Sequence, residues 1–114
     1  MSAEHLYCYL TTTGRRTGRP HEIEIWFGRT GNTLYLLSGG RDRSDWVRNL
    51  QRDPKVTVRL GEETYHAKAR VLSSGTEEDT QARRMLVGKY ATAEDDLVDW
   101  GRRSLVVALD LIDS

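Results

Sequence analysis

The sequence predicts an α+β protein in which a mostly antiparallel sheet of six short strands curls into a small barrel beside two or three short helices. Strands are predicted where apolar and polar residues alternate, and helices where apolar residues recur every three or four positions. The closing apolar run, 105–109, is rich in β-branched residues and is typical of a central strand. The chain of 114 residues is expected to form one domain, 1–114.

The first three strands are predicted from short runs of Tyr, Thr, Ile and Leu. Strand 6–12 leads into a glycine-containing loop, and strand 21–27 alternates between an apolar and a polar face. The segment 29–32 has turn chemistry, so we expect it to join strand 21–27 to strand 33–37 as a hairpin.

The rest of the chain combines helices with three more strands. Ser44 suits a helix N-cap and Pro54 disfavours helix in the residue before it, which predicts a helix over 44–52. Strands 55–60 and 64–72 alternate and are joined by a glycine turn. Further along the chain, apolar residues at helical spacing predict one helix over 76–90 and a short one from 92.

Two glycine-containing loops carry arginine side chains. The loop 14–18 holds Arg15 and Arg16 between its glycines, and the loop 38–43 holds two more arginines after paired glycines. Glycine permits the positive φ that brings backbone N–H groups to an anion, and guanidinium groups clamp phosphate or carboxylate. From 14 to 60 there are ten Lys/Arg against five Asp/Glu, although the whole chain is neutral. The loops therefore predict a site for an anionic cofactor.

Several other kinds of chemistry lack support. His5, His21 and His66 have no partners at metal-ligand spacing, so no metal is expected, and the lone Cys8 excludes a disulfide framework. The neutral net charge argues against a nucleic-acid partner. No apolar run approaches the ~20 residues that cross a bilayer, and the first residues are not a signal sequence, so a cytoplasmic protein without stable membrane insertion is expected.

The order of these segments resembles the deazaflavin-dependent nitroreductase family, which are split β-barrel oxidoreductases that use coenzyme F420 and are kin to flavin-binding split barrels. The resemblance lies in the segment 10–20, in Ser38-Gly39-Gly40, and in Trp46, Asn49-Leu50 and Asp53-Pro54. It implies an F420-dependent reductase in which both loops contact the cofactor. The implied cofactor-binding residues are Thr13, Gly14, Arg15, Arg16, Thr17, Ser38, Gly39, Gly40, Arg41, Arg43 and Trp46.

The second loop departs from the family pattern. Family members commonly carry a lysine before the paired glycines, and this chain has Ser38 there, with Arg41 or Arg43 as a replacement cation. FMN therefore stays open as an alternative cofactor, and a non-catalytic flavin or deazaflavin carrier as an alternative function.

The resemblance implies hydride transfer to a small, electron-poor substrate such as a quinone, an unsaturated carbonyl or a nitroaromatic. Tyr90, on the apolar face of the late helix, is the candidate catalytic residue as proton donor. Split barrels often dimerise, so we also expect a homodimer, with Trp26 and Tyr35 on an exposed face.

Overall fold

The computed structural model describes residues 7–90 and 104–112, without the side chains of residues 89 and 90. The described residues contain seven strands, two α-helices and one short 3-10 helix. The strands are β1 (Tyr7–Thr13), β2 (Pro20–Trp26), β3 (Gly28–Thr30), β4 (Thr33–Ser38), β5 (Lys55–Leu60), β6 (Glu63–Val71) and β7 (Leu105–Leu111). The 3-10 helix is Arg41–Arg43, and the α-helices are α1 (Asp45–Arg52) and α2 (Glu77–Tyr90).

All seven strands belong to one sheet, in the order β2-β1-β5-β6-β7-β4-β3, and every neighbouring pair is antiparallel. The two edge strands, β2 and β3, are consecutive in the chain and only Phe27 separates them. The two ends of the sheet therefore lie close together and the sheet curls. This confirms the predicted α+β fold with a mostly antiparallel split barrel.

The predicted count of six strands was one too low, and the predicted hairpin was wrong. The strand β2 pairs along its whole length with β1, whereas β4 pairs with β3 and β7. The turn itself is where the sequence placed it, because Gly31 has a φ of 60° between the paired residues Thr30 and Thr33. Alternation had shown which face each residue takes, but it carries no information about the strand with which it pairs.

The inner face of the sheet holds the main hydrophobic core. Alternate residues of β1 and β5, among them Leu10 and Val58, are fully buried there. Helix α1 closes this side with Val47 and Leu50, which are 0% and 1% exposed. Helix α1 is therefore anchored in the core by its buried face.

The outer face of β4 and β7 is buried as well, because α2 covers it. Tyr35, Val106 and Ala108 pack there with Ala82 and Leu86 of the helix. The near-continuous apolar sequences of β4 and β7 follow from this burial on both faces.

The expected exposed position of Tyr35 was wrong for the same reason. Its side chain is 8% exposed, and its hydroxyl donates a 2.7 Å hydrogen bond to Glu78 of α2. The predicted helix from 92 onward lies outside the described residues.

Helix α2 begins at a side-chain cap formed by Thr76 and Asp79. The hydroxyl oxygen of Thr76 accepts a hydrogen bond from the backbone N–H of Asp79, and the Asp79 carboxylate accepts one from the N–H of Gly75. No helix in the described ranges is long and apolar enough to cross a membrane.

Candidate functional site

The loop between β1 and β2 is closed by its own backbone. The N–H of Gly14 donates to the carbonyl of Arg19 at 2.7 Å, and the N–H of Gly18 donates to the carbonyl of Gly14 at 2.8 Å. Gly18 has a φ of 74°, which glycine adopts without strain. The result is a tight turn that projects residues 15–17 from the end of the sheet.

Gly14 also allows a close approach within this loop. A Cβ at this position would lie 2.7 Å from Nε2 of His21 and 3.1 Å from the carbonyl oxygen of Arg19. The absence of a side chain at Gly14 therefore lets His21, on β2, fold over the loop.

Arg15 is held in place by helix α1. Its guanidinium donates to Oδ1 of Asn49 at 2.9 Å and to the carboxylate of Asp45 at 3.2 Å. Its backbone N–H donates to the same Asn49 oxygen at 3.2 Å. Its side chain is 23% exposed, so the guanidinium is oriented by the protein while remaining accessible.

Arg16 differs from its neighbour. It is exposed and makes no hydrogen bond or ion pair with the parts of the chain that the structure describes. The loop thus presents one oriented guanidinium and one that is available to adjust to a ligand.

A cavity of about 460 Å³ lies between this loop, β2 and α1. Residues 14–17 line one side, His21, Glu22 and Ile23 of β2 line another, and Asp45, Trp46 and Asn49 of α1 complete it. Its volume lies within the range of roughly 300–1,000 Å³ that is usual for ligand sites.

The structure brings together five of the residues predicted to contact a cofactor. Gly14, Arg15, Arg16, Thr17 and Trp46 all line this cavity, although Trp46 is 29 or more positions away in sequence. Thr13 is the last residue of β1, directly before the loop, and is half-buried.

The predicted second loop does not line this cavity. Ser38 is 2% exposed, and its hydroxyl donates to the carbonyl of Arg41 at 2.8 Å and lies 2.9 Å from the hydroxyl of Ser44. A Cβ on Gly40 would lie 2.6 Å from the Ser44 hydroxyl, so this glycine allows the turn to pack against the start of α1. The hydroxyl that replaces the family's lysine is therefore bound within the turn.

The remaining predicted residues are placed as follows. Gly39, Arg41 and Arg43 are exposed, and Arg41 has a φ of 54°. Their cofactor contacts stay a prediction. The side chain of Tyr90 lies outside the described residues, so its role as proton donor also stays a prediction.

Sequence reasoning did not assign a role to Asn49, His21, Glu22, Ile23 or Asp45. A signal for Asn49 was present, because it lies three positions after Trp46 and therefore on the same side of the helix. A polar residue among the buried positions of a helix needs a hydrogen-bonding partner, and here the partner comes from the arginine loop.

A curled antiparallel sheet with an arginine-bearing loop beside a cavity is the arrangement of a split-barrel protein with a site for an anionic ligand. The model of the F420H(2)-dependent quinone reductase family matches residues 4–110, and the chain belongs to this family. It is therefore an F420-dependent reductase, which confirms the resemblance that the sequence showed.

Several solved structures have a similar fold. An F420-H2 dependent reductase, FDR-A, has a TM-score of 0.75 and 19% identity over 92% of this chain and 94% of its own. The haem storage protein HutZ from Vibrio cholerae has a TM-score of 0.81 and 16% identity over 97% and 84%. A chain described as a domain-swapped dimer has a TM-score of 0.77 and 18% identity over 95% and 82%. At these identities the likeness is one of fold.

The residues at the cavity fit an anionic cofactor. The two guanidinium groups of Arg15 and Arg16 supply donors for phosphate or carboxylate. Among residues 7–90 and 104–112, no group of His, Cys, Asp and Glu is arranged to hold a metal ion.

Proposed function

We propose that this F420-dependent reductase holds the phosphate and acidic tail of its cofactor in the cavity beside residues 14–17, and reduces a small, electron-poor substrate. The observation that carries this proposal is the shared cavity, which joins Arg15 and Arg16 to Trp46 of the predicted second cofactor segment.

The chain's own residues have distinct tasks in this proposal. Arg15 and Arg16 bind the anionic groups, and the half-buried indole of Trp46 offers an apolar surface beside them. When bound, reduced F420 supplies a hydride. Binding energy from the anionic tail is therefore used to position the reacting ring, which is the main work of the protein in such chemistry.

The substrate class follows from the chemistry of hydride. A hydride adds to an electrophilic atom, so we propose a quinone, an unsaturated carbonyl or a nitroaromatic, with a quinone favoured by the family's name. A proton must accompany the hydride, and Tyr90 remains the candidate donor. Steady-state oxidation of reduced F420 by menadione tests whether the protein is a reductase, because a carrier without catalysis would bind the cofactor without turnover.

We also propose a cytoplasmic location and a homodimer. The fold similarity to a chain described as a domain-swapped dimer supports the second of these. Light scattering of the purified protein at several concentrations would measure its mass, and a constant monomer mass would contradict the dimer.

The cofactor site is tested by binding measurements with oxidised F420 and with FMN. Replacing either Arg15 or Arg16 with Ala should weaken F420 binding by about 1–3 kcal/mol per charged hydrogen bond lost, roughly five- to 150-fold in Kd. The matched control is Arg84→Ala, an exposed arginine on α2, which should bind as the unaltered protein does. Unchanged affinity in both loop variants would move the anion site elsewhere, and micromolar FMN binding without F420 binding would overturn the cofactor assignment.

A further inference from the structure

We propose that Asn49 is a positioning residue, which fixes the guanidinium of Arg15 in its binding geometry before the cofactor arrives. The inference rests on the proposed role of Arg15 and adds a residue that acts through it. It is carried by three hydrogen bonds that join helix α1, the first loop and strand β1 at one buried amide.

The orientation of the Asn49 side chain follows from its partners. The backbone N–H and the guanidinium of Arg15 can only donate, so the atom that faces them must be the amide oxygen. The amide nitrogen then points to the hydroxyl of Thr12 and donates to it at 3.2 Å. Thr12 is 1% exposed and Asn49 is 3% exposed, so this contact lies inside the protein.

The amide is fixed to a rigid part of the fold. Asn49 lies between Val47 and Leu50 in sequence, and both of these side chains are buried in the core. The Asn49 amide oxygen accepts hydrogen bonds from both the backbone N–H and the guanidinium of Arg15, so it fixes both ends of the side chain. The side chain of an arginine has many rotamers, and ordering it before binding lowers the entropic cost of the complex.

The second partner of Arg15, Asp45, does not fix the position of the guanidinium. Asp45 pairs with the guanidinium at 3.2 Å, but its side chain is 85% exposed. An ion pair of that exposure is worth little and gives way easily to a ligand anion. The positioning of Arg15 is therefore assigned to the buried amide and not to the exposed carboxylate.

A double-mutant cycle on the full chain, with oxidised F420 as the titrant, tests the inference. Asn49→Ala should weaken binding roughly three- to 30-fold when Arg15 is present. In the Arg15→Ala background the same substitution should change Kd by less than about twofold, because its target is gone. Asn32→Ala, in the exposed turn between β3 and β4, is the matched asparagine control and should leave Kd unchanged.

The two possible failures are distinguishable. If Arg15→Ala weakens binding but Asn49→Ala does not, the inference is wrong and the proposed cofactor site stands. If Asn49→Ala costs the same in both backgrounds, Asn49 has a general structural role and the inference is again wrong. If Arg15→Ala has no effect, the inference is wrong, and the proposed site fails as well only if Arg16→Ala also has no effect.

A second variant covers the case in which Asn49→Ala does not fold. Asn49→Leu keeps the branched shape and fills the space of the amide, but it removes the acceptor for Arg15. Thermal melting establishes that the variant is folded, and the same loss of affinity is expected. Affinity equal to that of the unaltered protein, in a folded Asn49→Leu variant, would overturn the inference.

Discussion

Replacing Arg70 with alanine should loosen helix α2 from the sheet. The guanidinium of Arg70, on β6, makes paired hydrogen bonds with the carboxylate of Glu78 on α2, at 2.7 and 2.8 Å. It makes another pair with Asp110 on β7, at 2.6 and 3.1 Å. One side chain thus joins the helix that leads to Tyr90 to two strands of the sheet.

The expected size of the effect follows from geometry and exposure. The side chains of Arg70, Glu78 and Asp110 are 42%, 36% and 43% exposed, so water screens the charges. Exposed ion pairs contribute roughly 0.2–1 kcal/mol each, and paired geometry in a network places these two near the upper end. We therefore expect Arg70→Ala to lower the free energy of unfolding by about 1–2 kcal/mol. Arg70→Lys should recover less than half, because an ammonium cannot bind both carboxylates in pairs.

The pH dependence separates charge from packing. The Arg70 guanidinium, as the leading cause, holds the pKa of Glu78 and of Asp110 below their ordinary values. The ionised forms of both carboxylates are therefore favoured in the folded chain. The stability that their ion pairs with Arg70 contribute is present above the unfolded pKa values of roughly 4, and it is lost as the pH falls through the folded-state pKa values. Urea unfolding of the unaltered protein and of Arg70→Ala should be measured from pH 7 to pH 2.5. The difference between their free energies of unfolding should shrink in acid. A constant difference across that range would refute the charge argument.

Other substitutions test the packing of α2 and the shape of the first loop. Tyr35→Phe removes the hydrogen bond to Glu78 and should cost about 1 kcal/mol in urea unfolding. Burial and Glu78 raise the pKa of Tyr35 to about 12, so its neutral form is favoured on folding and that stability is lost as pH rises from 10 to 12. Leu86→Ala, at a side chain 2% exposed, should cost about 2–5 kcal/mol, and a loss below 1 kcal/mol would contradict the docking of α2. Gly14→Ala should displace His21 and lower the melting temperature, and adding His21→Ala should restore part of it; no recovery would place the strain in the backbone.

The strands that alternate cleanly could be predicted from the sequence. Val56, Val58 and Leu60 were expected on one face, and all three are buried in the core of β5. The strand β3 could not be predicted, because Arg29 and Thr30 are exposed and give no apolar signal. A three-residue strand exists only because its neighbour β4 supplies hydrogen bonds, which is tertiary information.

The candidate site could be predicted only where residues that are close in sequence indicate it. The glycines and arginines of the first loop indicated an anion site, and the structure places a cavity beside them. The contact between Arg15 and Asn49 spans 34 positions, so no local pattern reveals it. The glycines after Ser38 gave the same local signal, yet Gly40 packs against Ser44 outside the cavity. Glycine composition does not distinguish a turn that approaches a ligand from one that packs against a helix.

The most direct test of the central claim is a crystal structure of the protein with oxidised F420. We predict that the cofactor's phosphate or carboxylate groups lie within hydrogen-bonding distance of Arg15 and Arg16, with Asn49 still bound to Arg15 as in the structure described. A complex in which those acidic groups bind elsewhere and both arginines face solvent would contradict the account.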